Sequence, residues 1–116
     1  MRSGDVLSVK SFDFSLRIVK LGRYLQEKRR EYVLSKQLMR SSTAIGALVR
    51  ESKYAQSRPD FLNKLMIALK EAHETDYWLE LLWRSDLIDD KMYRSIEPEI
   101  KEFLKLLISS TKTLKK

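Results

Sequence analysis

Eight basic side chains in the first third of the sequence could perform one kind of chemistry, the neutralisation of phosphate charge. Their spacings place several of them along one side of a helix and carry the positive charge into the connection that follows. Such a stripe would bind nucleic acid largely without regard to base sequence, and high salt would weaken that binding steeply. We therefore predict nucleic-acid contacts at Arg17, Lys20, Arg23, Lys28, Arg29, Arg30, Lys36 and Arg40. The alternative interpretation is a solvated helical face with no partner.

The net charge of +7 is unevenly distributed along the chain. Residues 1–30 hold 8 basic and 3 acidic residues, and residues 31–58 hold 5 and 2. Residues 59–86 reverse the balance, with 3 basic against 6 acidic residues, and residues 87–116 hold 7 against 5. The first half is therefore basic and the third quarter acidic, which favours an anionic partner for the first half.

Residue types that catalyse reactions or bind metals are scarce. The chain has no cysteine, and His73 is its one histidine, with no acidic residue three positions before it. The Glu-x-x-His pairs of di-iron bundles are therefore absent, and no glycine-rich phosphate loop occurs. The acidic cluster Glu71, Glu74 and Asp76 is typical of a solvated or interface-facing helix surface. We predict a protein that is not an enzyme and that carries no metal and no cofactor.

No early apolar run resembles a signal peptide, and no apolar stretch is long enough to span a bilayer. These features predict a cytoplasmic protein with no membrane partner.

Hydrophobic periodicity predicts four helices that position the basic residues, at about 6–28, 32–56, 58–85 and 90–114. In the first helix the apolar seam alternates spacings of four and three, the pattern of a helical bundle. That seam comprises Leu7, Ser11, Phe14, Ile18, Leu21 and Leu25. Short connections then favour an all-α, antiparallel up-down-up-down four-helix bundle that occupies residues 1–116 as a single domain.

Local signals refine the helical prediction. Ser57, Pro59 and Asp60 form an S-x-x-D capping arrangement that begins the third helix. Ser42 and Gly46 are small residues four apart, which lets another helix approach closely, and we interpret Gly22 as a second site of close packing. Pro98 falls inside the fourth helix and is expected to kink it or to restart it near Glu97.

Two further features bear on partners. The third helix is apolar around much of its circumference, more than a lone bundle of this size could cover, which favours oligomerisation. Three tyrosines, Tyr24, Tyr32 and Tyr54, could stack on bases if they are exposed.

Four blocks of sequence resemble a known family. They are Phe12-Asp13-Phe14 with the Leu16, Ile18 and Val19 that follow, residues 34–47, residues 56–72 and residues 74–79. In these blocks the chain resembles the four-helix-bundle proteins encoded in intervening sequences of 23S ribosomal RNA. The resemblance covers about Val6 to Lys112. The chain departs from the family pattern at Leu48, where the family commonly has Asn.

That family is in turn structurally similar to the accessory variability protein of diversity-generating retroelements. The resemblance implies a homopentameric ring or barrel of four-helix bundles, with a basic surface that binds nucleic acid and a reverse transcriptase. The leading hypothesis is thus a non-enzymatic accessory protein, a homopentamer that binds RNA or DNA. The alternative is an oligomeric scaffold that docks an acidic partner protein such as a reverse transcriptase or another polymerase.

Overall fold

The structure is a computed structural model that describes residues 3–115, with side chains from residue 6 to residue 115. Within this range the chain forms four α-helices and no strand. They are α1 (Ser3–Lys28), α2 (Leu34–Ser52), α3 (Arg58–Arg84) and α4 (Asp90–Lys115). The body measures 44 × 24 × 20 Å, close to the length of one 26-residue helix.

Each helix packs antiparallel to the next in an up-down-up-down bundle. Contacts join α1 to α2, α2 to α3 and α3 to α4. Side chains close the bundle between α1 and α4, where the rings of Phe14 and Phe103 lie 5.4 Å apart and Lys10 pairs with Glu102 at 2.6 Å. Helices α1 and α3 therefore lie diagonally opposite each other, and their outer surfaces face away from one another.

The predicted seam of α1 faces the core. All six seam residues are buried, and Phe14, Ile18 and Leu25 have no exposed surface at all. The other helices contribute a similar line of apolar side chains, including Leu38 and Ile45 of α2, and one continuous core results. The spacings of four and three therefore predicted which side of α1 is buried.

Small residues bring α1 and α2 close together, as their spacing indicated. A Cβ atom added to Gly46 would lie 3.2 Å from the Ser15 hydroxyl and 3.4 Å from the Ser11 carbonyl oxygen. A Cβ atom added to Gly22 would collide with the side chain of Met39. The backbones of the two helices therefore approach each other where these residues lack bulk.

Both α3 and α4 begin with a side chain that caps the first backbone amides of the helix. The Ser57 hydroxyl accepts a hydrogen bond from the Asp60 amide at 3.2 Å, and the Asp60 carboxylate accepts from the Gln56 amide at 3.1 Å. The Asp89 carboxylate accepts from the Met92 amide at 2.8 Å at the start of α4. The second helix ends at Ser52 rather than near residue 56, because the amides of residues 53–55 donate to carbonyls three positions back and the Gln56 amide donates into the cap of α3.

Pro98 does not interrupt α4. The helix is continuous from Asp90 to Lys115, so the expected restart near Glu97 does not occur. Pro98 is exposed, as is Arg94 one turn earlier. The carbonyl of Arg94, which loses its donor, lies on the solvent side, where water can replace the missing hydrogen bond.

Candidate nucleic-acid interface

A tight turn of residues 29–33 joins α1 to α2. Arg30 has a φ of 54°, and the Glu31 amide donates to the Leu25 carbonyl at 2.9 Å. This hydrogen bond reaches back six positions, one more than the 6→1 hydrogen bond of a Schellman motif, and it connects the turn to the last turns of α1. The chain therefore leaves α1 and enters α2 within a few residues, along a defined path.

Glu31 caps α2. Its carboxylate accepts hydrogen bonds from three backbone amides at the start of the helix: Val33 at 3.1 Å, Leu34 at 3.0 Å and Ser35 at 2.7 Å. Partial burial by itself would raise the pKa of Glu31, but these amides hold that pKa below its ordinary value. The amides that a bound phosphate would otherwise use are thus already occupied.

Arg29 joins this turn to the connection between α3 and α4, which lies at the same end of the bundle. Its guanidinium donates to the Leu87 carbonyl at 3.2 Å, in the turn between α3 and α4. Its side chain is nevertheless exposed. Arg29 therefore has a structural contact in addition to the phosphate contact predicted for it.

Five of the eight predicted contact residues are exposed and make no hydrogen bond or ion pair within the described residues. We call this group the basic end, and it comprises Lys20, Arg23, Lys28, Arg30 and Lys36. Its members occupy the last turns of α1, the tight turn and the first turn of α2. Because no described carboxylate forms an ion pair with these cations, their like charges repel one another, and a polyanion would relieve that repulsion.

The other two predicted contacts, Arg17 and Arg40, face neighbouring helices. Arg17 pairs with Glu99 of α4 and donates to the Ser95 hydroxyl at 2.8 Å. Arg40 pairs with Glu71 and Glu74 of α3. Burial tends to lower the pKa of Arg40, but the hydrogen bond to Glu74 and the charge of Glu71 raise it overall. The predicted stripe is therefore divided, and these two cations hold helices together.

The acidic surface of α3 is largely neutralised within the chain. Arg40 forms ion pairs with Glu71 and Glu74. The Arg84 guanidinium lies 3.1 Å from the Glu80 carboxylate, and the Lys101 ammonium of α4 lies 2.8 Å from the Asp76 carboxylate. The hydrogen bond to Asp76 raises the pKa of Lys101, against the opposing effect of burial. The third helix is therefore much less negative than its sequence indicates, whereas the cations of the basic end have no ion-pair partner within the described range.

Apolar side chains lie exposed on the outer side of α1. We call Val9, Phe12 and Leu16 the α1 outer face, and they are 57%, 50% and 50% exposed. The Arg50 guanidinium lies 5.5 Å from the centre of the Phe12 ring, beside an open cleft of about 520 Å³ between α1 and α2. Val9, Leu16 and Arg23 are spaced by seven, so this apolar surface leads directly to the basic end.

A second open cleft, of about 1200 Å³, lies at the opposite end of the bundle. It is lined by apolar side chains that include Phe61 and Leu65, with Arg58 at its edge. His73 is exposed on α3 and lines neither cleft. Among the described residues, no group of three His, Asp or Glu side chains could hold a metal ion.

The three tyrosines considered for base stacking differ in exposure. Tyr24 is half-buried against the core. Tyr32, within the tight turn, is 49% exposed, and Tyr54, just after α2, is 80% exposed. Tyr32 and Tyr54 therefore have rings available to a partner, at opposite ends of α2.

Sequence reasoning missed two parts of this region. The residue type of Glu31 does not indicate a cap, because the usual capping residues are Ser, Thr, Asp and Asn. The α1 outer face is not distinguished from the buried seam by apolar character alone. Its spacing from the seam was the available signal, since Val9 and Leu16 lie nearly opposite Phe14 and Ile18 around the helix.

The geometry defines a class of protein: an antiparallel four-helix bundle with a structured basic turn at one end and an exposed apolar face on α1. The sequence profile of the 23S rRNA-intervening sequence protein family matches residues 6–109. The chain therefore belongs to that family.

One solved structure is similar over nearly the whole chain. It is described as a protein with unknown function from the S23 ribosomal protein family, from Bacteroides thetaiotaomicron VPI-5482. The two chains are 51% identical, with a TM-score of 0.92 over 96% of this chain and 99% of that one. No match is found among curated proteins. None of the described helices is long and apolar enough to cross a membrane.

Proposed function

We propose that this chain is a non-enzymatic, cytoplasmic accessory protein that binds RNA or DNA through the basic end. The observation that carries the proposal is the presence of five exposed cations that no carboxylate of the described chain neutralises. Each phosphate that such a cation contacts releases a condensed counterion, which makes binding favourable at low salt. No base-reading element is needed, so the binding is independent of sequence.

We also propose that the chain assembles as a homopentameric ring, like the accessory variability protein of diversity-generating retroelements that its family resembles. Two apolar surfaces support this assembly. The α1 outer face lies on one side of the bundle, and α3 exposes Ile67 and Tyr77 on the diagonally opposite side. Two different surfaces on opposite sides suit a head-to-tail contact, which closes into a ring when the rotation permits.

Charge reversal tests the nucleic-acid proposal. The triple variant Lys28→Glu, Arg30→Glu and Lys36→Glu removes most of the positive charge of the basic end. We expect it to bind labelled single-stranded RNA or DNA at least tenfold more weakly than the parent in a fluorescence anisotropy titration, since it removes about three phosphate contacts. The three sites are exposed, so the folded state should keep its helical circular dichroism.

A matched control separates a local effect from a change in net charge. Lys105→Glu, Lys112→Glu and Lys115→Glu change three exposed lysines of α4, toward the opposite end of the bundle. We expect this variant to bind clearly better than the first. Equal loss in both variants would contradict binding at the basic end, and retention in both would contradict the whole proposal.

A second function is favoured by the α1 outer face. The chain is, in this alternative, an oligomeric scaffold that docks an acidic partner protein such as a reverse transcriptase or another polymerase. An exposed apolar surface that continues into cations suits a protein partner with apolar and acidic groups. The two functions differ in purified material: nucleic-acid binding predicts co-purifying absorbance at 260 nm that high salt removes, and the scaffold predicts none.

A further inference from the structure

Tyr32 is a half-exposed aromatic side chain in the tight turn. It makes no ring contact, hydrogen bond or cation–π contact with any described residue. Val33 beside it is also exposed. Two exposed apolar residues in succession are unusual in a turn, where polar residues and glycine are the rule. The tight turn thus presents an apolar surface among its cations.

The turn that carries Tyr32 is fixed on both sides. Before it, the left-handed Arg30 and the hydrogen bond from Glu31 to Leu25 define the path of the backbone. After it, the Glu31 carboxylate holds the amides of Val33, Leu34 and Ser35. Because the backbone is already ordered, a ligand that packs on the Tyr32 ring loses little conformational entropy in the protein.

Basic residues flank Tyr32 on both sides in the amino-acid sequence. Lys28 and Arg30 precede it by four and two residues, and Lys36 follows it by four. All three are exposed members of the basic end. An aromatic platform between phosphate-binding cations is the combination that proteins use for single-stranded nucleic acid, in which the bases are free to stack on a side chain. In a duplex the bases stack on one another and are closed to such a ring.

We infer that the basic end takes single-stranded nucleic acid, with one base stacked on Tyr32 and the flanking phosphates on Lys28, Arg30 and Lys36. The inference rests on the proposed function and specifies its ligand. The side chains, rather than the amides of α2, hold the phosphates, because Glu31 already occupies those amides. The same site favours unpaired segments over duplex of equal length.

The test compares a labelled single strand of twelve nucleotides with the duplex of the same sequence, in anisotropy titrations at fixed low salt. The variants are Tyr32→Ala, Tyr32→Phe and the matched control Tyr54→Ala, which removes an exposed tyrosine at the far end of α2. We expect Tyr32→Ala to weaken binding of the single strand by at least about fivefold, the loss of one stacked base. Its binding of the duplex should be unchanged.

The other variants complete the pattern. Tyr32→Phe keeps the ring and should bind like the parent, and Tyr54→Ala should do so as well. Equal affinity of the parent for single strand and duplex, an unchanged affinity in Tyr32→Ala, or an equal loss in Tyr54→Ala would each overturn the inference. A different result would contradict the proposed function itself: the charge-reversal variant of the basic end would bind nucleic acid as tightly as the parent.

Discussion

Glu31 gives the basic end its shape. One carboxylate accepts three backbone hydrogen bonds and so fixes the turn from which Arg30, Tyr32 and Lys36 project. The side chain is only partly buried, and its pKa is lowered because those amides stabilise the charged form. The carboxylate therefore contributes to stability only while it is ionised.

This cap predicts a pH-dependent effect of Glu31→Gln. A lowered pKa in the folded state means that the stabilisation is present above the unfolded-state pKa and is lost as the pH falls through the folded-state value. At pH 7 the variant should unfold in urea with a free energy lower by about 1 kcal/mol, the usual value of a helix cap. At pH 3 the difference between the two proteins should shrink.

The comparison is made by urea titration followed by circular dichroism at both pH values. Glu27→Gln serves as the control, because Glu27 is exposed on α1 and makes no hydrogen bond or ion pair within the described range. That variant should match the parent throughout. A loss in Glu31→Gln that is equal at pH 7 and pH 3 would contradict the capping account.

The i,i+4 spacing of Glu80 and Arg84 predicts their ion pair, which the structure contains. Ion-pair partners on different helices could not be read from the sequence. Arg40 pairs with residues 31 and 34 positions later, and Arg17 pairs with Glu99, 82 positions away. The sequence shows that a side chain is charged, but only the packing of helices decides which carboxylate it meets. For that reason six of the eight predicted contacts lie in or beside one turn, while Arg17 and Arg40 join helices.

Helices and their buried sides were predictable, because a period of 3.6 residues is a local property. The seam of α1, the cap at Ser57 and the close packing at Gly46 all follow from residues within a few turns of one another. Helix ends were less predictable. At the end of α2 the amides of residues 53–55 donate to carbonyls three positions back, and α4 continues through Pro98, which is exposed.

Both α1 and α3 carry exposed apolar side chains. The sequence indicates α3 as the helix with the most apolar surface, and α3 does expose Ile67 and Tyr77. However, α3 packs against both α2 and α4, which cover much of it. The larger exposed group is the α1 outer face, which lies on the side of α1 opposite the buried seam. Phe12, at its edge, borders the cleft toward α2.

Assembly can be tested through the α1 outer face. We expect the parent protein to have five times the 13.7 kDa chain mass in solution, measured by light scattering after gel filtration. The double variant Phe12→Asp and Leu16→Asp places two charges on this face and should lower that mass, because a buried charge without a partner is costly. Both sites are exposed in the single chain, so the helical fold should persist.

The control for assembly is Leu106→Asp, which changes an exposed leucine of α4 away from the α1 outer face. It should leave the mass unchanged. A parent protein with the mass of one chain, or a double variant with the mass of the parent, would contradict a ring built on this face.

The central claim is that the basic end binds nucleic acid through phosphate contacts. The most direct test is the affinity of the parent protein for labelled single-stranded RNA and DNA, titrated by fluorescence anisotropy across a range of salt concentrations. Five phosphate contacts predict that log K falls with log salt with a slope of about −3.5 or steeper. No binding at low salt, or binding with a slope near zero, would contradict the claim and leave the scaffold as the better account.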